Sequence, residues 1–151
     1  MPVSMTLVFP QKNGKVLLGM KKRGFGAGRY NGFGGKLEKG ETPIQAAHRE
    51  FTQESGLVAN SLKFIGSFNF IYDTKPDWLH VYVYLAEDFS GEITETEEMK
   101  PIWFAKDDLP LDKMWPDDKY WLPAALDGKV VSGSFEFTDI NTIRDYRLEI
   151  G

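Results

Sequence analysis

Apolar and polar residues alternate along several segments of the chain, and these segments predict β-strands. The clearest case lies at residues 78–85, where every second residue from Leu79 onward is aliphatic. This period of two is typical of a strand with one face on a core. Further strands are predicted at residues 6–10, 15–20, 62–72, 99–105, 130–137 and 142–150. Asn13-Gly14 separates the first two of these and favours a tight hairpin turn.

Residues 42–54 predict a helix with both ends marked. Thr42 suits the N-cap, Pro43 suits the first helical position, and Gln45 completes a Thr-x-x-Gln capping box. Gly56 then provides a C-terminal stop. The helix therefore has defined limits on the sequence alone.

A second helix is predicted over residues 117–126, beginning near Pro116 and ending at Gly128. The 151 residues contain no repeat, low-complexity tract or linker, and 42% of them are apolar, so we expect one domain over residues 1–151. A mixed β-sheet sandwiched between helices, an α+β architecture, is the natural arrangement of these elements.

The first helix carries polar side chains beside an apolar stripe. The stripe consists of Ile44, Ala47 and Phe51. Residues three and four apart share a helix face, so Glu50, Gln53 and Glu54 should project together beside it. Two like charges about 5.5 Å apart repel by roughly 3 kcal/mol at an effective dielectric of 20, and a divalent cation would relieve this repulsion. An ordinary solvated helix face is the simpler explanation of the acid spacing alone.

Composition limits the chemistry and the partners. The chain has no cysteine and two isolated histidines, so a metal would bind mainly to oxygen ligands, which favours Mg²⁺ over zinc. The net charge of -4 argues against duplex nucleic acid, whose phosphates are bound by many basic side chains. Without a long apolar run or a signal-peptide pattern, we expect a cytoplasmic protein with no membrane partner.

Residues 35–57, GKLEKGETPIQAAHREFTQESGL, resemble the signature of the Nudix hydrolase family. The matching positions are Gly35, Glu41, Arg49, Glu50, Phe51, Glu54, Gly56 and Leu57. The departure is Gln53, which stands where the signature has the first residue of a Glu-Glu pair. The stretches GMKKRGFGAGRYNGFGGK, ETEEMKPIWF and MWPDDKYW resemble the mammalian MutT-homologue branch of the family, which hydrolyses oxidised purine nucleoside triphosphates.

This resemblance implies the Nudix fold and a metal site on the first helix. Glu50 and Glu54 would bind Mg²⁺, for which Mn²⁺ can substitute, and Arg49 would orient them by ion pairing. The other implied metal ligands are a backbone carbonyl of Gly35 or Lys36 and the carboxylate of Glu98. The implied reaction is a substitution at phosphorus that releases a nucleoside monophosphate and pyrophosphate.

The resemblance also implies a pocket for a purine base. Asn31 has both a donor and an acceptor, and Asp117 with Asp118 can offer an acceptor and a donor if one carboxyl keeps its proton. Such a pair suits bases of the 8-oxo-guanine and 2-hydroxy-adenine type. The other implied substrate contacts are Trp115 stacked on the base, Lys21 at the phosphates, and Thr6, Leu7, Phe25 and Phe70 on the walls. Without the resemblance, a helix start is the simpler explanation of the two acids.

Three functions stay open. The first is removal of oxidised purine nucleotides from the nucleotide pool by a monomeric enzyme. The second is hydrolysis of another nucleoside diphosphate derivative, such as ADP-ribose or a dinucleotide polyphosphate. The third is nucleotide binding with hydrolysis weakened by Gln53, since an uncharged amide is a poorer Mg²⁺ ligand. The residues leave three explanations of Gln53 open. The glutamate is dispensable here, its absence makes the enzyme slow, or it was replaced to trap a complex.

Overall fold

In the computed structural model, which describes residues 2–151, a mixed sheet is flanked by helices. The strands are β1 (Val3–Lys12), β2 (Lys15–Lys21), β3 (Tyr30–Asn31), β4 (Leu57–Tyr72), β5 (Leu79–Gly91), β6 (Met99–Ala105), β7 (Val131–Asp139) and β8 (Thr142–Ile150). The helices of this region are α1 (Pro43–Ser55) and α2 (Asp118–Leu126), with a short 3₁₀ turn at Leu111–Lys113. The predicted α+β class is confirmed.

The first two strands form a hairpin that opens into a gap. Asn13 and Gly14 take the positive φ values of a tight turn, 54° and 75°. β1 and β2 pair only next to this turn, at Gln11↔Val16 and Lys12↔Lys15. Beyond that point β1 runs parallel to β5, whereas β2 pairs with β3 and β6. The two strands therefore diverge, and the loop after β3 partly fills the space by bridging Val8↔Phe33 and Met5↔Lys36.

The two helices cover opposite faces of the sheet. Neighbouring residues of a strand point to opposite faces, and on β1 Val8 packs in the same cluster as Phe51 of α1. Phe9 packs on Trp121 of α2, with ring centroids 6.0 Å apart. Each helix thus has its own core cluster, and the predicted sandwich is confirmed. No helix within residues 2–151 is long and apolar enough to cross a membrane.

Helix α1 begins and ends as the sequence predicts. Gln45 N donates to Thr42 Oγ1 at 3.3 Å, and Thr42 N donates to Gln45 Oε1 at 2.9 Å, which completes the capping box. Gly56 closes the helix with φ of 81°. The prediction for Ile44 is wrong, because this side chain is 43% exposed while Ala46, Ala47 and Phe51 are buried. Its angular position matches that of Phe51, so its place in the first turn is what exposes it.

Strand limits differ from the sequence prediction mainly at β4 and β5. β4 starts at Leu57 and not at residue 62, because register shifts between Ala59 and Lys63 interrupt the apolar alternation that marked the later part. β5 likewise continues to Gly91 through an exposed polar end. The two-residue strand β3 lies inside the glycine-rich loop and carries no periodic pattern.

Candidate active site

A cleft lies where β1 and β2 diverge, with an empty volume of about 870 Å³ including open solvent at its mouth. All nine side chains predicted to contact substrate line it: Thr6, Leu7, Lys21, Phe25, Asn31, Phe70, Trp115, Asp117 and Asp118. Of the predicted metal ligands, Glu54 also lines the cleft. The fold therefore joins a carboxylate of α1 and the acids at the start of α2 in one space.

Glu54 occupies one end of the cleft. Its Oε1 accepts a hydrogen bond from the backbone N–H of Gly34 at 2.8 Å. The pKa of Glu54 is raised to about 7, mainly by burial and also by the neighbouring charge of Glu50, while the Gly34 hydrogen bond and Lys21 act to lower it. A half-buried carboxylate beside a second carboxylate is a place where a cation would be stabilised.

Arg49 holds the carboxylate of Glu50, which neighbours Glu54. Its Nε and Nη2 donate to the two oxygens of Glu41 at 2.8 and 2.9 Å, and its Nη1 donates to Glu50 Oε1 at 2.7 Å. The hydrogen bonds from Arg49 lower the pKa of Glu41 to about 2. Arg49 Nη2 also donates to the carbonyl of Lys36 at 3.1 Å. One guanidinium thus fixes Glu50 and ties the preceding loop to the helix.

Gln53 lies outside the cleft. Its side chain is exposed, and its Oε1 accepts a hydrogen bond from Arg49 Nη1 at 3.2 Å. The position at which this chain departs from the Nudix signature therefore faces Arg49 and not the cleft that Glu54 lines.

Two glycines allow the loop before α1 to approach its neighbours closely. A Cβ on Gly34 would lie 1.7 Å from the carbonyl oxygen of Thr6, and a Cβ on Gly35 would lie 2.7 Å from Glu50 Cδ. The carbonyl of Gly35 accepts from Thr6 N at 2.9 Å. The carbonyl of Gly35 is thus bonded to β1, whereas that of Lys36 accepts from Arg49 of α1.

Glu98 is held by a different partner. Arg23 donates to Glu98 Oε1 from Nε at 2.9 Å and from Nη2 at 2.5 Å, and this hydrogen bonding lowers the pKa of Glu98. Glu98 is exposed and does not line the cleft. Among residues 2–151 no three carboxylate, imidazole or thiol side chains form a group able to hold a metal ion by themselves.

The opposite end of the cleft contains a buried pair of acids. Asp117 and Asp118 are each only 2% exposed. Asp117 Oδ2 accepts from Trp121 Nε1 at 2.8 Å, whereas Asp118 Oδ2 has no hydrogen-bond partner within residues 2–151. Burial raises the pKa of both carboxyls, and the charge of Asp117 raises that of Asp118 further. The pair can retain a proton at neutral pH and offer both a donor and an acceptor.

Aromatic side chains form the wall beside these acids. Trp115 packs against Phe25 and Tyr72, with ring centroids 5.1 and 6.0 Å apart. Asn31 is fixed on β3 by its Oδ1, which accepts from Gly32 N at 2.8 Å. Cleft residues that the sequence reasoning missed include Met5, Arg29, Tyr72, Leu79, Val81, Met99 and Trp121. Arg29, Met99 and Trp121 stand in the family-like stretches, whereas Met5, Tyr72, Leu79 and Val81 reach the cleft through strand pairing and carry no local signal of a site.

Comparison with known proteins relates this geometry to a family. The NUDIX domain matches residues 2–125. An oxidized purine nucleoside triphosphate hydrolase of Mus musculus is 47% identical over 95% of this chain and 92% of its own length. One of Danio rerio is 44% identical over 96% of this chain and 93% of its own. The crystal structure of a mutator MutT protein from Bacillus halodurans superposes with a TM-score of 0.86 at 25% identity, covering 97% of both chains.

Proposed function

The chain belongs to the NUDIX domain family, and we propose that it hydrolyses oxidised purine nucleoside triphosphates to the monophosphate and pyrophosphate. The substrates would be of the 8-oxo-dGTP and 2-hydroxy-dATP type, and the reaction would remove them from the nucleotide pool. The observation that carries this proposal is the single cleft with Glu54 at one end and the buried Asp117–Asp118 pair at the other. The names of the Mus musculus and Danio rerio relatives support the same substrate class.

Nudix hydrolases generally need a divalent metal, and we propose Mg²⁺, with Mn²⁺ as a substitute. Besides Glu54, the donors that α1 and the loop before it offer are all oxygens: the carboxylate of Glu50 and the carbonyls of Gly35 and Lys36. Mg²⁺ prefers such ligands and usually completes its shell with water and substrate phosphate. When bound, the metal neutralises charge on the phosphates and lowers the pKa of a bound water. The residues present fit this ion.

We call the end of the cleft around Glu54 the phosphate end, and its side chains have separate tasks. Glu50 and Glu54 would hold the metal, and Glu98 would assist once its carboxylate leaves Arg23. Arg49 acts through Glu50, which it contacts at 2.7 Å, and is therefore a positioning residue. Lys21 lines the cleft near Glu54 and would contact the phosphates.

We call the end of the cleft around Asp117 and Asp118 the base end. It would hydrogen-bond to the edge of a purine and stack on its face. An Asp117–Asp118 pair that carries one proton can donate to one base atom and accept from another, and the unpartnered Asp118 Oδ2 is suited to one of these bonds. Asn31 adds a further amide, and Trp115 would stack on the ring. Thr6, Leu7, Phe25 and Phe70 would enclose the base.

The experiment that tests this proposal is metal-dependent pyrophosphate release from 8-oxo-dGTP beside dGTP, ADP-ribose and a dinucleotide polyphosphate. We expect kcat/KM to be highest for the oxidised nucleotide and to vanish with chelator. Equal rates on dGTP would contradict the selectivity, and preference for ADP-ribose would favour another Nudix substrate. Action as a monomer in the cytoplasm stays a prediction, which gel filtration and cell fractionation would test.

A further inference from the structure

Arg29 lines the cleft but has no place in the reaction described so far. Its guanidinium lies over the indole of Trp115, with Cζ 4.4 Å from the ring centroid. Its Nη1 donates to the carbonyl of Ile140 at 2.7 Å, and its Nη2 donates to Asn141 Oδ1. Ile140 and Asn141 form the turn between β7 and β8. One side chain thus connects the indole with the C-terminal hairpin.

The β7–β8 hairpin lies beyond the residues that match the NUDIX domain, 2–125. Its Phe137 stacks on Tyr72 with centroids 5.0 Å apart and meets Trp115 edge-on at 6.2 Å. Asn141 N donates to Asp139 Oδ1 at 2.8 Å, which fixes the turn that receives Arg29. The hairpin therefore supports the wall of the base end both by ring packing and through Arg29.

The backbone of Arg29 is fixed as firmly as its side chain. Its N–H donates to the carbonyl of Gly26 at 3.1 Å, and its carbonyl accepts from Lys21 N at 3.0 Å. The loop packs tightly on Trp115, since a Cβ on Gly26 would lie 3.0 Å from Trp115 Cζ2. Arg29 is therefore held both at its backbone and at its guanidinium. A residue that sets the tilt of an aromatic ring must be fixed in this way.

We propose that Arg29 is a positioning residue for the purine base, and that the β7–β8 hairpin contributes to base selection by holding it. This inference rests on the proposed function. A planar guanidinium stacked on one face of Trp115 fixes the ring against which the base would stack. Lysine cannot reproduce this contact, because an ammonium lacks the flat, forked geometry that reaches the ring and both acceptors together.

The charge of Arg29 also acts on the acid pair. Its two hydrogen-bond acceptors are uncharged, so they do not neutralise it. The ionisable groups facing Asp117 and Asp118 are Arg29 from the loop and Tyr72 from β4, with Lys21 and Glu54 farther along the same cleft. Burial is the main cause of the raised pKa of both acids, and Arg29 opposes it. Removing the cation should let the pair keep its proton to higher pH.

The test compares Arg29→Met, Arg29→Lys and Asn141→Leu with wild type in steady-state hydrolysis of 8-oxo-dGTP from pH 6 to 10. Arg29→Met should raise KM about 10-fold, leave kcat within about threefold, and move the alkaline fall of kcat/KM to higher pH. Arg29→Lys should raise KM about fivefold without moving that fall, because its charge remains. Asn141→Leu should raise KM about threefold. Arg147→Met, which removes the same charge from β8 outside the cleft, should match wild type.

Nucleotide binding and thermal unfolding are measured on the same variants. They distinguish a loss of binding from a loss of folding. A wild-type protein that neither binds nor hydrolyses purine triphosphates would overturn the proposed function and this inference together. A wild type that hydrolyses 8-oxo-dGTP while both Arg29 variants keep its KM and pH profile would overturn this inference alone. A fall in kcat that follows a loss of thermal stability, with KM unchanged, would also overturn it, because Arg29 would then serve only folding.

Discussion

The two ends of the cleft, which we propose bind the phosphates and the base, are built in different ways. Glu50, Glu54 and Arg49 belong to one helix and are supported by the loop before it, all within residues 34–57. The base end instead joins β3, β4 and the start of α2, through Asn31, Tyr72 and Asp118. One short segment of the chain therefore carries Glu50, Glu54 and Arg49 of the first end. The second depends on long-range sheet pairing and can change without disturbing the first.

The largest effect should come from Glu54→Gln. The amide keeps the size of the side chain and an oxygen for the Gly34 N–H, but it loses the charge that would hold the metal. We expect kcat to fall roughly 10²- to 10³-fold while nucleotide binding through the base end persists. Stopped assays of pyrophosphate release measure the rate, and Glu149→Gln on β8 is the matched control. A Glu54→Gln protein with wild-type kcat would contradict the assignment.

Trp115→Ala should damage the other end. Removing the ring that would stack on the base is expected to cost about 1 to 3 kcal/mol of binding, or roughly 5- to 150-fold in KM, with kcat nearly unchanged. Steady-state kinetics with 8-oxo-dGTP measure both parameters. Trp103→Ala controls for the loss of an indole, because Trp103 stacks on Phe89 in the cluster on the opposite face. Equal effects of the two substitutions would refute a role for Trp115 at the base.

The acid pair predicts a weakening of binding at alkaline pH. The folded-state pKa of Asp118 lies well above its ordinary value of 3.8, so the proton and the binding it supports are present at low pH and lost as pH rises through the raised pKa. Asp118→Asn keeps a donor at every pH and should abolish this loss, about 10-fold in KM at its extreme. The free energy of unfolding should likewise fall with rising pH in wild type and less so in the variant.

The control for this pH series is Asp112→Asn, which changes an exposed acid outside the cleft. Its KM should follow the wild-type profile. A wild-type KM that stays flat from pH 6 to 10 would mean that no proton on the pair takes part in binding.

The smallest effect should come from Gln53→Glu, which restores the family signature. Gln53 is exposed and contacts Arg49, so a carboxylate would mainly exchange a hydrogen bond for an exposed ion pair worth at most about 1 kcal/mol. We expect kcat to change less than about threefold. If both forms bind 8-oxo-dGTP but only the glutamate form releases pyrophosphate, the chain with Gln53 is a nucleotide-binding protein.

The phosphate end could be predicted because its spacing is local. Helix caps and the three- and four-residue spacing placed Glu50 and Glu54 on one side of α1, and the structure has the same helix. The burial of Glu54 next to Gly34 could not be predicted, since it depends on the gap between β1 and β2. The same holds for Ile44, whose spacing suits a core although its place in the first turn exposes it.

The base end shows the limit of sequence reasoning more clearly. Asn31, Asp117 and Asp118 are identified through a family resemblance, and without it the two acids indicate only a helix start. Tyr72 carried no signal, because it reaches the cleft through the pairing of β4 and β7. Arg29 stands in a family-like stretch, but its contact with the turn at Ile140–Asn141 could not be predicted from that stretch. Side chains placed by distant strands become visible only when the sheet is known.

The most direct measurement of the separation between the two ends is a kinetic comparison of wild type, Glu54→Gln, Trp115→Ala and the double variant on 8-oxo-dGTP at saturating Mg²⁺. We predict that Glu54→Gln lowers kcat alone, that Trp115→Ala raises KM alone, and that the double variant shows both effects at full size. The separate roles of the two ends would be contradicted by a Trp115→Ala protein that loses kcat as severely as Glu54→Gln. They would also be contradicted by a double variant whose KM equals that of Glu54→Gln.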